Sequence, residues 1–155
     1  MGKPSILVIG GFGYLGSRVS AFLSQQGFRV WATSRTLSPG RERWLTQFSG
    51  NIRWVPFDSK SDSNIPADTH FDYVFNLALP SAQEVTAQPI EAQEQALRTV
   101  ETCLNLLRTG KADHLLHFSS FHVYGKTADD IYAENTQPNP IHPYGKLHLL
   151  CEQEI

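Results

Sequence analysis

Short apolar runs alternate along the chain with longer stretches in which apolar residues recur at helical spacing. That alternation predicts strand, helix, strand, helix, the signature of a parallel sheet with crossover helices. SILVIG (5–10) shows no polar alternation and reads as a strand buried on both faces. Leu15, Val19, Phe22 and Leu23 then form one helical face, and Gly27 supplies the stop. FRVWATS (28–34) and NIRWVPFD (51–58) predict the second and third strands, with a short helix carrying Trp44, Leu45 and Phe48 between them. FDYVFNLAL (71–79) predicts the fourth strand, ended by Pro80. From Glu91 to Arg108 there is neither Gly nor Pro. Ala92, Ala96, Val100, Cys103 and Leu107 share one face there, and Gly110 caps the helix. DHLLHFSS (113–120) predicts a fifth strand. Phe121 to Pro143 reads as a long polar loop, of a length that is usually functional or mobile, and Pro143 opens a last helix.

Composition narrows the partners more than the fold. At 155 residues, 41% hydrophobic and 18% charged, the chain suits one globular domain spanning 1–155. A net charge of -2 with interspersed signs predicts no nucleic-acid partner and no anionic membrane surface. No stretch has the length of a membrane span, and the N-terminal region lacks a signal-peptide pattern. Cys103 and Cys151 have no metal or redox spacing, which fits free thiols in a reducing cytoplasm. His114 and His117 fall on opposite faces of a strand, so they predict no metal site. Ser119 and Ser120 lack the glycine pattern of a nucleophile elbow. Trp31, Trp44 and Trp54 are expected in the core.

The first turn carries the clearest chemistry. Gly10, Gly13 and Gly16 form G-x-x-G-x-x-G between a buried strand and a helix. Gly10 permits a tight turn, Gly13 lets a pyrophosphate approach bare backbone, and Gly16 lets helix and strand pack closely. At the end of the second strand an NAD-selective site places an acid against the ribose 2'-hydroxyl. Here Ser34 is followed by Arg35, with no carboxylate before Glu42, a pair that suits a 2'-phosphate and favours NADP over NAD. A solvated loop arginine is the competing reading of Arg35. Asp58 falls where the adenine edge would lie, with a simple turn former as its alternative.

Taken together, GGFGYLGS (10–17), FD (57–58), FNLAL (75–79), FSSFHVYG (118–125) and NPIHPYGKLH (139–148) resemble the extended short-chain dehydrogenases/reductases of the nucleotide-sugar epimerase/dehydratase group. The resemblance covers essentially the whole chain. It implies a doubly wound parallel sheet of Rossmann type, followed in relatives by further strands and a C-terminal substrate domain. It places Gly10, Gly13, Tyr14, Leu15 and Gly16 on the cofactor loop, Asp58 beside the adenine, and Leu77 and Ala78 along the cofactor. Ser120 falls on the catalytic serine or threonine and Tyr144 on the catalytic tyrosine. The implied activity is hydride transfer on a nucleotide-linked sugar, as an epimerase, dehydratase or reductase. A homodimer through helices 91–109 and 144–155 is implied as well.

Three departures qualify that expectation. Relatives carry lysine four residues after the tyrosine, where its ammonium acidifies a phenol that otherwise titrates near ~10. This chain has His148 there, a weaker source of positive charge, and Lys146 points elsewhere on the helix. Thr99 stands where relatives often have asparagine. The ending, CEQEI, carries no helix stop, so the chain is expected to break off inside the tyrosine helix, without the final strands and substrate domain. A catalytically impaired dinucleotide-binding module, acting as a sensor or assembly subunit, is therefore the alternative to an enzyme.

Overall fold

A computed structural model of the chain describes residues 2–48, 50–60, 64–126 and 131–155. Five parallel strands, β1 (Ser5–Ile9), β2 (Arg29–Ser34), β3 (Ile52–Pro56), β4 (Phe71–Asn76) and β5 (Ala112–His117), form one sheet in the order β3-β2-β1-β4-β5. Strand order reverses between β1 and β4, so the sheet is doubly wound, as the family resemblance implies. β1 is buried along its whole length because it is central and covered on both faces.

The two faces of β1 feed different cores. Ile6 and Val8 join Leu23 of α1 (Tyr14–Gln25) and the partly buried Trp44 and Leu45 of α2 (Pro39–Leu45). Leu7 and Ile9 join Trp31, Phe71 and Cys103 of α4 (Pro89–Arg108). A third cluster holds Val85 of α3 (Ala82–Ala87), Ala96 and Val100 of α4, and Leu147 and Cys151 of α5 (Pro143–Gln153). The long helix thus covers the sheet with one side and receives α3 and α5 on another.

Two expectations are corrected. The buried face of α1 is Gly16, Ser20, Leu23 and Ser24, while Leu15 and Phe22 are 47% and 59% exposed. The reason is distance: a Cβ added at Gly16 would collide with the Gly10 carbonyl oxygen and lie 2.9 Å from Gly11 Cα. Such close packing of helix on turn selects small residues over large apolar ones. The second correction is α3, which the apolar pattern does not show. Ser81 caps it reciprocally with Glu84: the Ser81 hydroxyl accepts from Glu84 N–H, and the Glu84 carboxylate accepts from Ser81 N–H at 2.7 Å. The loop after β5 also holds a short 3-10 turn at Phe121–Val123; residues 127–130 of that predicted loop lie outside the described residues.

Candidate active site

The C-terminal ends of β1, β2 and β4 open on a cavity of about 630 Å³, at the point where strand order reverses. Gly10 and Gly13 line it from the first turn, Ser34 and Arg35 from the end of β2, Asp58 beyond β3, and Leu77 and Ala78 beyond β4. The expected cofactor residues on these four segments therefore meet in one place. Gly10 has φ of +81°, and a Cβ there would sit 3.1 Å from Ala78 Cα, so the floor of the cavity is bare backbone by steric necessity. Gly13 caps α1 without any side-chain hydrogen bond, and the first turn holds no acidic residue. The Gly13 N–H donates to the Gly10 carbonyl at 2.9 Å, so the N–H groups of the first turn of α1, with the positive helix end, are the ones that suit a pyrophosphate.

The remaining loop residues serve differently. Gly16 is packed one layer behind the floor. Tyr14 is 81% exposed, with the Arg18 guanidinium 3.9 Å from its ring centroid, and Leu15 also faces outward. Neither residue is in the lining of the cavity. The cavity also recruits residues that motif reading passes over, Phe12, Arg41, Lys60, and Glu91 and Gln95 of α4, together with Thr99, the position where relatives often have asparagine. Arg41 is only a few residues beyond Arg35, and that nearness to the β2 terminus is the signal that could have found it. Glu84 also lines the cavity. Hydrogen bonds from the Ser81 N–H and hydroxyl, and then the positive charge of Arg35, hold its carboxyl below the usual range.

Ser120, Tyr144 and His148 gather outside that cavity, at the end of β5 and the start of α5. Ser120 Oγ lies 3.1 Å from His122 Nδ1 and also accepts from the His122 N–H at 3.3 Å. The His122 ring meets Tyr144 edge-on at 5.6 Å between centroids, and Tyr144 meets His148 at 4.5 Å. His122 thus links the two residues expected to carry the chemistry, and the sequence reading assigned it no such place. Gly145 makes the approach possible: a Cβ there would collide with the His122 carbonyl oxygen. Asn139 N–H to the Val123 carbonyl at 2.9 Å, and the Tyr132 hydroxyl to the Gly125 carbonyl at 3.0 Å, fasten the intervening loop.

His148 is 3% exposed, and neither ring nitrogen meets a hydrogen-bond partner among the described residues. Burial, and then repulsion that any proton on the neighbouring His117 and His122 rings would add, pushes its pKa down to about 4. It is therefore a neutral imidazole at pH 7. Behind it, Asn76 Nδ2 donates to His117 Nδ1 at 3.2 Å, while Asn76 Oδ1 accepts from the Ala78 N–H. That pattern assigns the His117 proton to Nε2. Lys146 is exposed and lines a groove on the other side of α5 with Leu150 and Gln153. No group of histidine, cysteine or acidic side chains suited to a metal occurs among the described residues.

A sequence model of the NAD dependent epimerase/dehydratase family matches residues 6–155. The chain belongs to that family. Among curated members it is 29% identical over 153 residues to a UDP-glucose 4-epimerase of Halalkalibacterium halodurans, covering 96% of this chain and 44% of that protein. It is 27% identical over 164 residues to a probable UDP-arabinose 4-epimerase 3 of Oryza sativa, covering 99% of this chain and 40% of the relative. Among solved structures, the UDP-glucose 4-epimerase of Stenotrophomonas maltophila, with bound NAD and formylated UDP-arabinopyranose, superposes with a TM-score of 0.85 at 25% identity. It covers 97% of this chain and 47% of that one. The chain therefore spans less than half the length of these family members.

Proposed function

We propose that this chain is the dinucleotide-binding portion of an NAD(P)-dependent enzyme that acts on a nucleotide-linked sugar, and that it takes NADP in preference to NAD. The observation that carries the proposal is the cavity of bare glycine backbone at the strand reversal, joined to a Ser120–Tyr144 pair one element away. Gly10, Gly13 and the first turn of α1 would hold the pyrophosphate, Asp58 the adenine side, Arg35 the ribose end, and Leu77 and Ala78 the middle. The dinucleotide, when bound, supplies the hydride acceptor or donor. The Ser120 hydroxyl would hold the sugar oxygen, and the Tyr144 hydroxyl would take or give its proton. UDP-sugars are the substrate class, by likeness to relatives named as UDP-arabinose and UDP-glucose 4-epimerases.

His148 favours a second reading for the chain as it stands. A neutral, buried imidazole stands where the family has its ammonium, so that position supplies no fixed positive charge. A module that binds dinucleotide and turns over weakly fits that feature. A homodimer through α4 and α5 belongs to either reading, and the apolar groove beside Leu147 and Leu150 gives it a surface. Buried Cys103 and Cys151, with thiol pKa values pushed up by burial to about 12 and about 11, suit the cytoplasm.

The test is a single-turnover assay with UDP-glucose or UDP-galactose and oxidised dinucleotide, following reduction of the nicotinamide. The enzyme reading expects reduction by the parent chain that Tyr144→Phe abolishes. Saturable dinucleotide binding without reduction, in a chain extended to the length of its relatives and carrying His148→Lys, removes the enzyme reading and leaves the binding module.

A further inference from the structure

We propose that Arg41, acting with Arg35, selects a phosphate monoester on the adenosine ribose, and that Ser34 is not one of its ligands. The inference rests on the reading of the glycine-floored cavity as a dinucleotide site. A ribose 2'-phosphate dianion presents only acceptors, so its site must supply donors. Ser34 has one hydroxyl proton, and it already donates to the Thr36 carbonyl at 2.9 Å. The same oxygen accepts from Trp54 Nε1–H at 3.0 Å. Ser34 is thus a strut joining β2, β3 and the loop that follows, with no donor left for an anion.

Arg41 has what Ser34 lacks. Its Nη1 donates to the same Thr36 carbonyl at 2.8 Å, and its guanidinium sits 5.8 Å from the centroid of Phe12, in the glycine turn. Phe12 in turn meets Trp44 edge-on at 5.4 Å, so the shelf under the guanidinium is packed. Of the five N–H bonds of an arginine head, that one tether leaves the others for a ligand. Arg41 is half-buried, whereas Arg35 is exposed, so less freedom is lost when Arg41 engages a ligand. Both line the cavity on the β2 side, and among the described residues neither is in an ion pair, although the charge of Arg35 is felt by the Glu84 carboxylate. The pyrophosphate has its own place at the start of α1, so two arginines at the ribose end point to a further anion there.

Isothermal titration of the full chain with ADP-ribose and with 2'-phospho-ADP-ribose tests this without any hydride chemistry. The readout is the ratio of the two affinities. The parent is expected to prefer the phosphorylated ligand, with a preference that shrinks as salt is raised. Arg41→Met should reduce that ratio about tenfold or more, as loss of a charge-assisted hydrogen bond does, and Arg41→Lys should fall between. Arg41→Gln, which retains a donor for the Thr36 carbonyl, repeats the test in a variant that keeps the tether. A ratio unchanged in Arg41→Met and Arg41→Gln overturns the proposal, as does an equal loss of both ligands in each. A parent that binds ADP-ribose more tightly removes the NADP preference and the role of Arg41 together. A parent that binds neither ligand removes the dinucleotide reading itself.

Discussion

At the scale of single residues, the proton transfer proposed for Tyr144 depends on what stands beside it. His148 is buried against that ring and is held neutral by its surroundings, while His117 and His122 face it from the end of β5 and the turn beyond. This has a thermodynamic consequence. The folded pKa of about 4 lies below the ordinary 6.5, so protonation favours the unfolded chain. The contribution of His148 is present above pH 6.5 and is lost as pH falls toward 4, and is worth on the order of 3 kcal/mol. His117, lowered chiefly by burial, adds in the same direction; His70, raised chiefly by its hydrogen bond to Asp113, acts in the opposite one. Urea unfolding at pH 7 and pH 4.5 should show a large loss in the parent and a clearly smaller one in His148→Leu. Equal losses would mean that His148 is not the group that titrates. The tyrosine, the serine and the replaced lysine are all readable in the sequence, because each lies in a motif of fixed spacing. That His122 joins Ser120 to Tyr144 is not, because the contact depends on how a turn and a helix start meet.

At the scale of elements, glycines decide how closely neighbours approach. Gly145 lets the first turn of α5 rest on the His122 carbonyl and so brings Tyr144 to the turn that begins at Ser120. Gly145→Ala should cost about 1–3 kcal/mol through overpacking. It should also weaken the ring-to-ring cross-relaxation between His122 and Tyr144 in proton NMR. Parental stability with that contact intact would show that α5 is positioned by something else, such as its burial of Leu147 and Cys151. The strands and the long helix are legible because apolar runs and helical periodicity are strong signals. The buried face of α1 is not, because the need for Gly16, Ser20 and Ser24 comes from the turn beneath it rather than from hydrophobicity. α3 is legible only to a reader who looks for Ser81-x-x-Glu84, since six residues are too few to show a period.

At the scale of the molecule, the order β3-β2-β1-β4-β5 gathers the lining of one cavity from four separated segments. The glycine loop is legible alone, but the cationic side made by Arg35, Arg41 and Lys60 exists only once α2 folds back beside β2. The same architecture keeps Ser120 and Tyr144 apart from that cavity while α4 touches both regions, lining the cavity with Gln95 and Thr99 and packing toward α5 with Ala96 and Val100. The central claim is that this cavity binds a dinucleotide, and amide chemical-shift mapping of the full chain with NADP tests it most directly. The account predicts saturable binding with the largest shifts at Gly10, Gly13, Thr36, Asp58 and Ala78. No saturable binding, or shifts confined to α5 and the β5 edge, would contradict it.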